Sequence, residues 1–140
     1  TAYNDATVTA YDNATVTACS NAKVYAFGKT TVETVSNVPV EAYGDATVKA
    51  YGIAKVQASD RTVVKAYSNA TVEACDSATV EAYNSVTVKA HDNAKVYAFD
   101  RAIVKAYNGA TVEAYNSTMV IYPEERKIIY PAGWTTETHE

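Results

Sequence analysis

Leucine is missing from this 140-residue chain, and phenylalanine, methionine and tryptophan together contribute four residues. Without large aliphatic side chains a thick two-layer core is excluded. Yet 48% hydrophobic and 20% charged residues make the chain too apolar for disorder. Five glycines are too few for the Gly-Gly-x-Gly-x-Asp units of calcium-binding β-rolls. Two cysteines, Cys19 and Cys75, stand far apart, and two scattered histidines have no clustered carboxylates, so neither a disulfide framework nor a metal set is expected. No apolar run reaches membrane-spanning length, and no secretory signal is present. The twelve basic residues are interspersed among sixteen acidic ones for a net charge of -4, which argues against nucleic-acid binding. No phosphate loop or nucleophile motif occurs. The expectation is a chain with no cofactor, no metal, no catalytic residue and no membrane association, hence not an enzyme.

What is present is a strict repeat. Valine recurs at every eighth position from Val8 to Val120 without insertion or deletion, and Ile128 takes the next slot. Counting each unit from Ala2, the first residue is nearly always Ala and the fifth usually Ala. The seventh is Val, and the third and fourth are mostly Asp, Asn, Ser or Gly. The third and fourth positions carry turn chemistry. Between turns, small apolar residues alternate with polar ones, as in Ala70, Val72 and Ala74 against Thr71, Glu73 and Cys75. Alternation of that length is a half-buried strand, whereas a period of eight drifts against a helix. Because eight is even, every core position carries an even number.

Eight residues cannot close a coil. An inward set of Ala, Val and Ala is too thin to fill a three-sided interior, and protein interiors are close-packed. The sequence therefore predicts an all-β fold: a flattened parallel β-solenoid of two facing sheets with about 16 residues per coil. The repeat domain spans residues 1–121, and residues 122–140 form an irregular C-terminal cap or tail.

Two units per coil put alternate units on a common side. Tyr51, Tyr67, Tyr83, Phe99 and Tyr115 then form one aromatic column, while Tyr11, Phe27, Tyr43, Ser59, Cys75, His91 and Tyr107 form a broken one. Stacked rings stabilise parallel ladders; the alternative use is a platform for glycans, bases or a partner. Pro39, at an outward position, predicts a bulge or sheet edge. Near the C-terminus, Met119, Ile121, Tyr122, Ile129, Tyr130 and Trp134 form a candidate apolar interaction surface, read as a cap or as a self-association face.

The tandem motif Ala-Tyr-x-Asn/Asp-Ala-Thr-Val-x over residues 2–121 resembles octapeptide repeats of bacterial, especially gut-bacterial, and phage proteins. The resemblance implies a bacterial or phage source and no activity. The functional expectation is a non-catalytic structural or interaction module, a rigid rod that forms a homo-oligomer through its C-terminal segment and has room for a protein partner. Two alternatives stand beside it: a phage-encoded inhibitor or mimic that binds a host protein, and a carbohydrate-binding or adhesive surface.

Overall fold

A computed structural model describes residues 1–107 and 109–129. Among them there are sixteen short strands and no helix. One sheet stacks β1 (Thr7–Ala10), β3 (Lys23–Ala26), β5 (Pro39–Ala42), β7 (Lys55–Ala58), β9 (Thr71–Ala74), β11 (Thr87–Ala90), β13 (Ile103–Ala106), β15 (Met119–Tyr122) and β16 (Lys127–Ile129) in that order. The facing sheet runs β2 (Thr15–Ala18), β4 (Thr31–Thr34), β6 (Thr47–Ala50), β8 (Val63–Ala66), β10 (Thr79–Ala82), β12 (Lys95–Ala98) and β14 (Thr111–Ala114). Every parallel pair keeps a register of sixteen residues, from Thr7 opposite Lys23 to Ile103 opposite Met119. The fold is a two-sheet parallel β-solenoid of about seven turns.

The alternation in the sequence builds the core directly. All buried residues among those described carry even numbers, and Val24, Val48, Val72 and Val88 are fully enclosed between alanines. Each buried valine contributes about 1.5–3 kcal/mol. At the fifth position of a unit, Thr30 and Thr118 replace alanine without orphaning a hydroxyl, because each donates to the carbonyl three residues back, at 2.6 and 2.8 Å. Thr34 is different. It sits among first-position alanines with its hydroxyl buried and unbonded.

Turns obey one rule. Every described third-position residue from Asn4 to Asn116 has positive φ, between 56° and 74°. Asn, Asp and Gly tolerate that backbone best. Gly44 combines φ 74° with a second demand, since a Cβ there would lie 3.1 Å from the Gly28 nitrogen. Most turns close with a hydrogen bond from the fifth-position N–H to the second-position carbonyl, such as Ala78 to Cys75 at 3.1 Å. They also stack coil on coil, Ser77 N–H donating to Asp60 O at 2.9 Å.

One expectation needs correction. Pro39 makes neither bulge nor sheet edge: it opens β5, the sixteen-residue register continues through it, and the β3–β5 ladder only starts one residue later, at Val24 opposite Val40. A proline at the first strand residue costs one ladder bond and nothing more. Ile128 keeps the repeat's phase but not its ladder. Instead of following β14, it lies on β16, antiparallel to β15 and opposite Ile121. In preceding units the second-position N–H reaches the carbonyl of the coil before, as Tyr107 does to Ala90 at 2.8 Å and Tyr115 to Ala98 at 2.8 Å. Pro123 occupies that slot and has no N–H to give. The chain turns back instead, with Arg126 at φ 51° and its N–H donating to Pro123 O at 3.3 Å.

Inserting Leu for Ala82, which has no exposed surface, is expected to lower stability by roughly 3 kcal/mol. Tyr83→Leu on the outside is expected to cost about half as much. Circular dichroism melts check the pair, and equal losses contradict the inside/outside assignment. Thr34→Val keeps the shape and removes the orphaned hydroxyl, so it is expected to stabilise by about 1 kcal/mol, readable as a raised denaturant midpoint.

Candidate functional site

Register turns every recurring side chain into a column. Tyr51, Tyr67, Tyr83, Phe99 and Tyr115 stack in one unbroken series beside the C-terminal ends of the even-numbered strands, with centroids 4.9–5.0 Å apart and planes within 9° of parallel. The spacing follows the strand spacing, which favours offset stacking. The phenols are anchored as well. Tyr83 donates its hydroxyl to Glu81 and Tyr115 to Glu113, both at 2.8 Å, and Tyr43 to Glu41 at 3.1 Å. The hydrogen bond to Glu81, aided by burial and by the carboxylate's charge, pushes Tyr83 up to about 12. Tyr43 and Tyr115 are raised for the same first reason, their bonds to Glu41 and Glu113.

A column packed this closely has its ring faces turned on one another. Between Tyr51 and Tyr115 only the ring edges meet solvent, so sugars or bases have no flat surface to stack on along the column.

The second column runs beside the odd-numbered strands and is interrupted, as expected. Tyr11, Phe27 and Tyr43 stack at 5.3 Å, His91 and Tyr107 at 4.6 Å, and between the two groups stand Ser59 and Cys75. The gap is an open notch of about 230 Å³ lined by Tyr43, Gln57, Ala58, Ser59, Glu73 and Cys75. Burial, then the neighbouring Glu73, raises the Cys75 thiol above its ordinary pKa. That makes it a poor nucleophile. Glu73 Oε1 lies 3.7 Å from His91 Nε2, a buried atom with no hydrogen-bond partner. Both cysteines are free thiols.

The turn aspartates carry structural bonds. Asp60 accepts from Gly44 N–H at 2.8 Å, Asp76 from Asp60 N–H at 3.2 Å, and Asp100 from Asn84 N–H at 3.1 Å. Each carboxylate thus ties its turn to the one below. Among the described residues no three His, Cys, Asp or Glu side chains gather as a metal set.

At the C-terminal end, Met119, Ile121 and Tyr122 are half-buried on β15, Tyr122 packs against the core, and Ile129 is 42% exposed. Tyr130 and Trp134 lie outside the described residues. The hairpin splits the first four between its faces: Met119 and Ile121 lie on the outer face of β15, Tyr122 and Ile129 on the core side. Ile129 pairs with inward-facing Val120, so it continues the core side of the sheet with little above it.

What sequence reasoning missed is the notch. Its signal was legible in the Glu-x-Tyr spacing of Glu41/Tyr43, Glu81/Tyr83 and Glu113/Tyr115, against Glu73 followed by Cys75. Comparison with protein-family models, with curated proteins and with solved structures returns no match.

Alkaline titration tests the Tyr83–Glu81 bond. A phenol with a raised folded pKa holds its proton in the folded state after the unfolded chain has lost it, so stability is intact below pH 10 and falls between 10 and 12. Ring-labelled NMR should place the Tyr83 transition near 12, and Glu81→Gln should bring it down toward 10 while flattening the stability loss.

Proposed function

We propose that the chain is a non-catalytic structural and interaction module, a rigid rod that self-associates through its C-terminal end. The observation that carries this reading is the emergence of the apolar seam there. In interior strands the seventh-position valine and following alanine are fully enclosed; on β14, Val112 is half-buried and Ala114 exposed. Opposite them Ile129 is 42% exposed on the core side of β16. The seam is dry along its interior and opens at both ends, at Ala6, Val8 and Ala14 as well as at β14. At the C-terminal end Ile129 enlarges the opening into an apolar patch bordered by strand edges, the kind of surface that recruits a second chain. The bacterial or phage source implied by the octapeptide motif is compatible with such a rod.

The alternatives fare less well. A glycan platform needs free ring faces, and those of the continuous column are mutually covered. A nucleic-acid mimic needs a continuous acidic stripe. The eighth-position row of the even-numbered strands instead runs Glu33, Lys49, Lys65, Glu81, with Lys65 and Glu81 3.7 Å apart as an ion pair.

Sedimentation equilibrium is the test. The full chain is expected to sediment above its 15.0 kDa monomer mass, while Ile129→Glu and a chain ending after Ser117 both return to monomer. An unchanged mass in both variants, or a monomeric full chain, removes the case for C-terminal assembly.

A further inference from the structure

The geometry points to the notch in the broken column as a binding site for phenolic rings. Tyr43 and His91 are three coils apart, and the flanking stacks advance about 5 Å per coil. Two ring positions between them are therefore vacant, over Ser59 and Cys75. The vacancy is not filled by neighbouring side chains, since it persists as an open volume of about 230 Å³. For comparison, an apolar cavity of about 150 Å³ takes up benzene. One face of Tyr43 is covered by Phe27 and one face of His91 by Tyr107. The other face of Tyr43 borders the notch, a ring face of the kind that the closed column denies to a ligand.

The chemistry of the guest is set by the lattice. Wherever a tyrosine follows Glu by two residues and the bond forms, the phenol hydroxyl donates to that carboxylate: Tyr43 to Glu41, Tyr83 to Glu81, Tyr115 to Glu113. Glu73 stands in the same relation to the Cys75 position, and no tyrosine fills it. A phenol lying in that slot places its hydroxyl at Glu73, which lines the notch and lies 3.7 Å from the buried His91 Nε2. The slot over Ser59 offers Tyr43 as the stacking face and the Gln57 amide oxygen as acceptor. Benzoates are disfavoured, because their charge meets Glu73. Small size at positions 59 and 75 is thus what converts a structural ring column into a receptor for rings from outside.

The source is either a free phenol or a tyrosine on another chain, and two probes separate them. In NMR titrations of the full chain, p-cresol should shift the His91 and Tyr43 ring signals saturably and raise the melting temperature. Toluene, without the hydroxyl, and the Glu73→Gln variant with p-cresol should each bind roughly tenfold more weakly, the loss of about one charge-assisted hydrogen bond. A capped Gly-Tyr-Gly peptide binding more tightly than p-cresol marks a protein-borne tyrosine as the guest; the reverse order marks a free phenol. Cys75→Tyr and Ser59→Tyr restore the repeat's own residue and fill the slots from within. Both should fold, melt higher than the parent and lose the p-cresol shifts. Absence of saturable shifts in the parent, or shifts that survive in both filled variants, overturns the site. Neither result depends on the oligomeric state, so this site and C-terminal assembly fail independently.

Discussion

The thin Ala/Val seam is the constraint on which the other features rest. Two sheets can approach this closely only because the inward positions carry nothing larger than valine, with threonine tolerated where its hydroxyl finds a carbonyl or its neighbours are alanine. That closeness limits each half-coil to four strand residues and a tight turn. The turn in turn demands positive φ at its third position, which explains why Asn, Asp, Ser and Gly recur there. Composition, repeat length and turn chemistry are one solution to one packing problem. The absence of leucine belongs to the same solution, because a single leucine would hold the sheets apart.

Exact register has a second consequence. In a solenoid of sixteen residues per coil, a side chain type at one repeat position becomes a line in space, and its interactions repeat or fail as a line. Rings stack for five coils on one side, carboxylates tie successive turns on the edge, and opposite charges such as Lys65 and Glu81 meet across adjacent strands. Exposed pairs of that kind contribute little, whereas the ring stacks hold low-entropy, flat surface against flat surface. A departure from the repeat is then a local vacancy with regular walls. Ser59 and Cys75 are ordinary surface residues in isolation; within the column they are missing rings.

Fold and inward set were legible because they rest on period and parity, which survive point substitution. Sixteen residues per coil followed from the size of alanine and valine, and the five-ring column followed from sixteen. Pro39 was misread. It was weighed as a residue at a repeat position, when the deciding quantity was one backbone N–H. Pro39 opens a strand, where only one ladder bond is lost. Pro123 stands where the N–H must reach the previous coil, and Ile128 five residues later is carried off the ladder. The notch was missed because Ser59 and Cys75 were read as substitutions for tyrosine, without asking what Glu73 faces once the tyrosine is gone.

Termination at Pro123 also makes the two sheets end differently. A parallel ladder offers the same open edge whatever its length, so length alone never stops it. An antiparallel return does, because β16 presents β15 with a partner whose far side no longer matches the repeat's hydrogen-bond phase. β16 joins only the sheet that contains β15, leaving β14 as the last strand of the other among the described residues. One sheet is thus closed to a further coil while its partner keeps a repeat-like edge beside exposed Ala114. Growth of an endless ladder needs both sheets to advance together, since each coil contributes one strand to each. With β16 antiparallel on one of them, the described residues at this end offer no continuous template for a further coil.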